Sequence, residues 1–348
     1  MQMKYTTLPN TKIKISKICL GTMTWGEQNT ESEGYQQMDY ALDAGVNFFD
    51  TAELYPIPKN PKTQGATEIY IGNWFKKTGN RDKVVLASKV AGPPEFNPHE
   101  IREGGFGKCA IEDALNTSLK RLQTDYIDLY QLHWPDRPSN YFGKRGFQAK
   151  TDNQWEDNIR QTLESLKDFV DQGKIRHIGL SNDVPWSVMR FLEESKYQGL
   201  PRIATVQNPY NLLNRTYEAG LAEISLRENV GLLPYSPLAF GRLSDKFLNG
   251  QDISQSRINL YPEMRRYNKE NALKATQRYY ALAKDNNMSL ATMSLAFLHQ
   301  QDFVCSTIIG ATQLGQLKEN IASIDTVLDE GIINQINKIH ESIPNPAP

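Results

Sequence analysis

Short apolar runs that stop abruptly at a polar residue recur along this chain, and stretches of helical spacing separate them. Asn47-Phe48-Phe49 ends in Asp50, and Tyr55 follows five positions later. Later runs end in Lys89, His133, Ser181-Asn182, Gln207 and Tyr235-Ser236. A run of this length reads as a buried strand that delivers its last polar residue to its own C-terminal tip.

The pattern opens with residues 5–15, which suit two short strands around a Pro9-Asn10 turn; Lys14 and Ser16 alternate with Ile13 and Ile15, as on a half-exposed face. Residues 18–21 then read as a buried strand. From there strands are predicted at 46–50, 84–89, 126–133, 175–181, 203–207, 230–235 and 307–310. Helices are predicted at 31–44, stopped by Gly45, and at 67–77, ending before Gly79. Ile111, Leu115, Leu119 and Leu122 fall at helical spacing, as do Ile159, Leu163, Leu166 and Val170 before Gly173. Further helices are expected at 184–197, 213–227, 272–285, 289–300 and 314–324, with a final one near 332–339. Strand and helix in alternation require a parallel sheet covered by helices. Eight such strands predict a closed (β/α)8 TIM barrel, with an N-terminal β-hairpin and a C-terminal extra helix. In that architecture the active site lies at the C-terminal ends of the strands, where the polar residues above are found.

Composition narrows this picture. The 348 residues show no linker or low-complexity break, so a single domain over 1–348 is expected. With 39 basic and 40 acidic residues the net charge is −1, which gives no general attraction to nucleic acid or anionic lipid. Cys19, Cys109 and Cys305 are isolated and odd in number, as in a reduced cytoplasmic protein. Neither a signal core nor a membrane-spanning run is present in the sequence. Two long loops, 56–65 and 134–155, lie on the expected active-site face and are read as a substrate wall.

Asp50, Tyr55, Lys89 and His133 together suggest proton donation to a carbonyl. A phenol is a poor acid at neutral pH, but an ammonium beside it favours the phenolate, and a carboxylate holds that ammonium in place. A histidine nearby orients the carbonyl oxygen. Each residue alone has an ordinary reading: Lys89 with Asp50 as a plain ion pair, His133 as a satisfied buried histidine. Other motifs fail. Gly105-Phe106-Gly107-Lys108-Cys109-Ala110 spells a dinucleotide fingerprint but follows a polar segment where a strand is required. Gly179-Leu180-Ser181-Asn182-Asp183 lacks the last glycine of a nucleophile elbow, and the five histidines have no metal-ligand spacing.

The segments Asp43–Tyr55, Ser118–Leu129, Gly173–Asn182 and Tyr235–Gly241, with Ile309–Asn320 near the C-terminus, resemble signatures of the aldo-keto reductase superfamily along nearly the whole chain. The Tyr-Pro-x-Pro insertion after Tyr55 and the segment Asn208–Arg215 are similar to its bacterial Tas-type branch. The resemblance implies an NADP(H)-dependent reductase of small-molecule aldehydes and ketones, with no nucleic-acid or membrane partner. It implies Tyr55 as general acid, Lys89 lowering its pKa, Asp50 supporting Lys89, and His133 orienting the carbonyl. It implies a cofactor held by Gly21, Thr22, Met23 and Asp50. Tyr235 would stack on the nicotinamide, and Ser181, Asn182 and Gln207 would hold its carboxamide. Ser236, Pro237, Leu238 and Gly241 would line the pyrophosphate, and Gly310, Gln316, Glu319 and Asn320 the adenosine. Many members place Lys-Ser and Arg where this chain has Gly310-Ala311 and Gln316, so the grip on a 2′-phosphate is expected from Lys246 and Arg257. A second function fits the same residues: a redox-sensing, cofactor-binding regulatory module like the β-subunits of potassium channels. A hydrolase or isomerase on the same barrel is a third.

Overall fold

The computed structural model describes residues 2–94, 101–102, 105–144, 146–147, 157–250, 253–254, 256–261 and 265–348. Strands β1 (Tyr5–Thr7) and β2 (Lys14–Ser16) pair antiparallel, with Tyr5 opposite Ser16. The main sheet comprises β3 (Ile18–Gly21), β4 (Phe48–Asp50), β5 (Val85–Val90), β6 (Ile127–Leu132), β7 (Ile175–Ser181), β8 (Ile203–Gln207), β9 (Gly231–Leu232) and β10 (Thr307–Ile309). Neighbours pair in parallel in the order β10-β3-β4-β5-β6-β7-β8-β9. The two ends of this order meet. Leu232 N–H donates to Phe303 O at 2.9 Å, Cys305 N–H to Leu232 O at 2.9 Å, and Ile308 N–H to Pro234 O at 3.1 Å. The sheet is therefore a closed eight-stranded barrel, as the alternation of patterns predicts.

Helices α1 (Glu31–Asp43), α2 (Ala66–Thr78), α3 (Lys108–Leu122), α4 (Ile159–Asp171), α5 (Pro185–Gln198) and α6 (Leu221–Glu228) cover the outside. The short α7 (Arg257–Leu260), then α8 (Glu270–Asp285), α9 (Leu290–His299), α10 (Leu314–Ala322) and the extra helix α11 (Glu330–Ser342) complete the chain. Outward strand residues such as Leu20, Phe49, Leu86 and Ile178 join the helices in one large core. Inward residues Cys19, Phe48, Ala87 and Leu129 form a second cluster with Leu8 and Ile15 of the hairpin, which plugs the N-terminal mouth. Side chains alternate across a strand, so the residues two beyond Phe48, Ala87 and Leu129 also face inward. They are Asp50, Lys89 and Gln131. Cys19 and Cys305 are buried in this interior, whereas Cys109 on α3 is exposed.

The predicted helix 213–227 is corrected. Residues 208–215 form a loop, Thr216–Ala219 is a 3-10 turn, and the α-helix starts only at Leu221. The Asn211 side chain accepts from Leu213 N–H at 2.9 Å, and that of Asn214 from Thr216 N–H at 3.2 Å. These local bonds compete with the helical ladder, and Gly220 interrupts what remains. Leu212 and Leu213 are buried without being helical. The predicted strand 230–235 is regular only at Gly231–Leu232, because Pro234 has no N–H for the ladder. Among the described residues no helix is long and apolar enough to cross a membrane.

Candidate active site

The C-terminal end of β4 delivers Asp50 and that of β5 delivers Lys89. Lys89 is 0 % exposed, and its ammonium donates to Asp50 Oδ2 at 2.7 Å, to Thr51 O at 2.8 Å and to the Tyr55 hydroxyl at 3.3 Å. The second carboxylate oxygen, Oδ1, accepts from Gln207 Nε2 at 2.8 Å and from Gln131 Nε2 at 3.2 Å. A buried charge is tolerable only when paired and hydrogen-bonded, and here both ions are. Burial works against the Lys89 ammonium, but Asp50 and Tyr55 outweigh it and raise its pKa.

Tyr55 lies on the loop after β4, and its backbone carbonyl accepts from Gly65 N–H at 2.8 Å. Gly65 has φ 83°, and a Cβ there would run into the Arg121 guanidinium, so only glycine suits this anchor. Lys89 pulls the phenol's pKa down, as expected, but burial acts more strongly and the net shift is upward. Tyr55 is thus fully protonated at neutral pH, the state an acid requires. The His133 ring stands edge-on to Tyr55, 5.7 Å between centroids at 77°.

On the opposite wall, Ser181 Oγ donates to Gln207 O at 2.9 Å, and Asn182 Nδ2 donates to His133 O at 2.9 Å. Asn182 has φ 56°, a left-handed conformation that asparagine tolerates better than most residues. Its Oδ1 accepts from the Tyr235 hydroxyl at 2.7 Å. Burial pushes Tyr235 up to about 12, against the influence of Arg266.

Asp50, Tyr55, His133, Ser181, Asn182, Gln207 and Tyr235 border one cleft of about 980 Å³. Of the residues assigned from the sequence, Gly21, Thr22, Met23, Asp50, Tyr55, His133, Ser181, Asn182 and Gln207 line it. So do Tyr235, Ser236, Pro237, Leu238, Gly241, Lys246, Arg257, Gly310, Gln316 and Asn320. Lys89 is reached only through Tyr55 and Asp50. Glu319 does not line the cleft; it is exposed, and its carboxylate accepts from Ser289 Oγ at 2.6 Å. Gln316 Oε1 accepts from Thr312 N–H at 3.2 Å, and Asn320 Nδ2 donates to Gly310 O at 3.4 Å.

The loop after β9 turns through positive φ at Ser236, Ala239, Phe240 and Gly241. Beyond it lie Lys246 and Arg257, and neither forms an ion pair among the described residues. Burial pushes the Arg257 guanidinium down to about 10; burial and the cations Arg257 and Arg242 lower Lys246. Like charges held together with no counter-ion among the described residues make a ready seat for an anion. The cleft thus offers amides at one end, a tyrosine ring between, and two cations at the other, a donor set that fits a nicotinamide dinucleotide.

Several lining residues escape sequence reasoning. Gln131, which does not line the cleft but supports Asp50, had a signal, a polar residue inside an apolar run. Arg266, Asn268 and Lys269 lie on the irregular loop between β9 and α8, where nothing periodic in the sequence marks them. Of the two long loops, Ile57 and Lys59 line the cleft on one side and Trp134, Phe142 and Gly143 on the other. Much of 145–156 lies outside the described residues.

Comparison with known proteins agrees with this geometry. Residues 17–341 match the model of the aldo/keto reductase family. The chain is 46 % identical over 347 residues to "Protein tas" of Escherichia coli (strain K12), covering 99 % of this chain and 100 % of that protein. It is 33 % identical to the "Uncharacterized oxidoreductase YrpG" of Bacillus subtilis (strain 168), covering 97 % and 96 % respectively. It is 26 % identical to the "Norsolorinic acid reductase B" of Dothistroma septosporum, covering 94 % of this chain and 79 % of that protein.

Proposed function

The chain belongs to the aldo/keto reductase family, and on that premise we propose that it is an NADP(H)-dependent reductase of small-molecule aldehydes and ketones, with Tyr55 as general acid. The observation that carries this reading is the relay of Asp50, Lys89 and Tyr55, with contacts of 2.7 and 3.3 Å, that ends at the wall of the cleft. The cofactor, when bound, supplies the hydride. The Tyr55 hydroxyl donates its proton to the carbonyl oxygen, and the Lys89 ammonium stabilises the phenolate left behind. Asp50 holds Lys89 in place, and Gln131 and Gln207 keep Asp50 from turning away. His133, edge-on to Tyr55, orients the carbonyl oxygen. Leu54, Trp134 and Phe142 line the same cleft and exclude water.

Ser181, Asn182 and Gln207 would hold the nicotinamide carboxamide, with Tyr235 against the ring. Ser236, Pro237, Leu238 and Gly241 would face the pyrophosphate, Gly310, Gln316 and Asn320 the adenosine. Lys246 and Arg257 would grip the 2′-phosphate, which favours NADPH over NADH. The test follows oxidation of each cofactor with a panel of aldehydes and ketones, together with fluorescence titration of each. Turnover is expected with NADPH in preference. Equal affinities for the two cofactors would remove the assignment to Lys246 and Arg257. Tight NADPH binding with no turnover on any carbonyl compound would favour the redox-sensing module.

A further inference from the structure

We propose that Glu53 is a positioning residue that sets the separation of the Tyr55 hydroxyl from Lys89, by clamping the loop after β4 to the end of β5. The inference rests on the reductase reading above. Beyond Asp50 the β4 backbone keeps following β5 for a few residues. Thr51 N–H donates to Ala87 O at 2.9 Å, and Glu53 N–H donates to Lys89 O at 3.3 Å. There the loop departs, and the Glu53 side chain fastens it. The side chain is buried, with 1 % of its surface exposed, and its Oε1 accepts from Ala91 N–H at 2.6 Å. Its backbone and side chain therefore hold both Lys89 on β5 and Ala91, the residue just past the end of that strand.

Arg102 completes the clamp. Its Nη1 donates to Glu53 Oε2 at 2.7 Å and its Nη2 pairs with Oε1, a fork-to-fork contact. A buried ion pair is a poor way to gain stability, since apolar packing does as well without desolvating two charges. What it provides is fixed direction. Tyr55 stands two residues beyond Glu53, so a small rotation of the loop at Glu53 changes the 3.3 Å contact between phenol and ammonium. Displacements of about 1 Å in a catalytic pair are enough to reduce turnover on the order of 100-fold.

Glu53→Gln keeps an oxygen for Ala91 N–H but gives up the charge facing Arg102; Arg102→Gln leaves Glu53 intact and removes the fork. For either variant kcat for aldehyde reduction is expected to fall about 10- to 100-fold, with the Kd for NADPH unchanged. The alkaline limb of the kcat profile should move to higher pH, because a more distant Lys89 stabilises the phenolate less. Arg102→Lys, which keeps a charge on Glu53, should recover most of the rate. A crystal structure of Glu53→Gln should show the Lys89–Tyr55 contact opened beyond hydrogen-bonding distance. Lower thermal stability with an unchanged pH profile and an unchanged contact would overturn the proposal, leaving Glu53 a structural residue. If the wild-type protein reduces no carbonyl compound, the reductase reading falls, and the crystallographic separation alone still decides the clamp.

Discussion

The two ends of the cleft treat charge in opposite ways. At the carbonyl end, Lys89 and Asp50 are fully buried, and every charge meets its counterpart within the protein. At the far end, Lys246 and Arg257 face the same cleft without an acidic partner among the described residues, and both are disfavoured as cations. The first end is complete before anything binds, as preorganised electrostatics require. The second end is completed by what binds. One region is therefore built for rate and the other for affinity, and substitutions should separate the two.

The largest effect is expected from Tyr55→Phe. It removes the proton donor but no charge, so aldehyde reduction should fall by about 10² to 10⁴ while the fluorescence titration with NADPH stays as in the wild type. Near-wild-type turnover would place the acid elsewhere. Next comes Lys89→Met, which leaves Asp50 buried without its cation. Removing one partner of a buried pair costs about 3–5 kcal/mol, measurable by urea denaturation. The same variant should move the alkaline limb of residual activity upward, because the ammonium that opposed the rise in the Tyr55 pKa is gone.

At the other end the sign reverses. Arg257→Met should weaken NADPH binding about 10- to 100-fold with little change for NADH, as for loss of one charge-assisted hydrogen bond. Without cofactor, the same variant should be slightly more stable than the wild type, by an order of about 1 kcal/mol. The sign follows from linkage. The folded pKa of Arg257, about 10, lies below its ordinary value, so the folded state disfavours the cation. That cost is present in full below pH 10 and is relieved as pH rises through the folded value. A thermal melt with and without NADPH checks both halves. Lower stability in both states would erase the contrast between the ends.

The carbonyl end was also the more legible in the sequence. Asp50, Lys89 and Gln131 follow inward-facing residues by two, so strand periodicity alone aims them into the barrel. The far end is carried by loops, which have no period. There, family resemblance supplied Lys246 and Arg257, and nothing supplied Arg266 or Asn268. Glu319 shows the limit of carrying a segment over whole. Gln316 and Asn320, four apart on α10, share the face toward the cleft, and Glu319 turns instead to Ser289. The helix expected at 213–227 failed for a local reason, since the asparagines at 211 and 214 bond their own backbone. Glu53 went unread because a buried acid beside an active-site loop has no periodic signature.

The placement of the three thiols gives this barrel an internal stopwatch. Cys109 sits on the outside of α3, where a thiol reagent reaches it at once. Cys19 and Cys305 are sealed inside the closed staves, their pKa values raised by burial, Cys305 to about 12. Only a thiolate reacts, so these two stay silent while the staves hold. Labelling should therefore proceed in two stages, one fast sulfur and then two slow ones. The pace of the second stage reports how often the barrel comes apart, read from the native protein without denaturant.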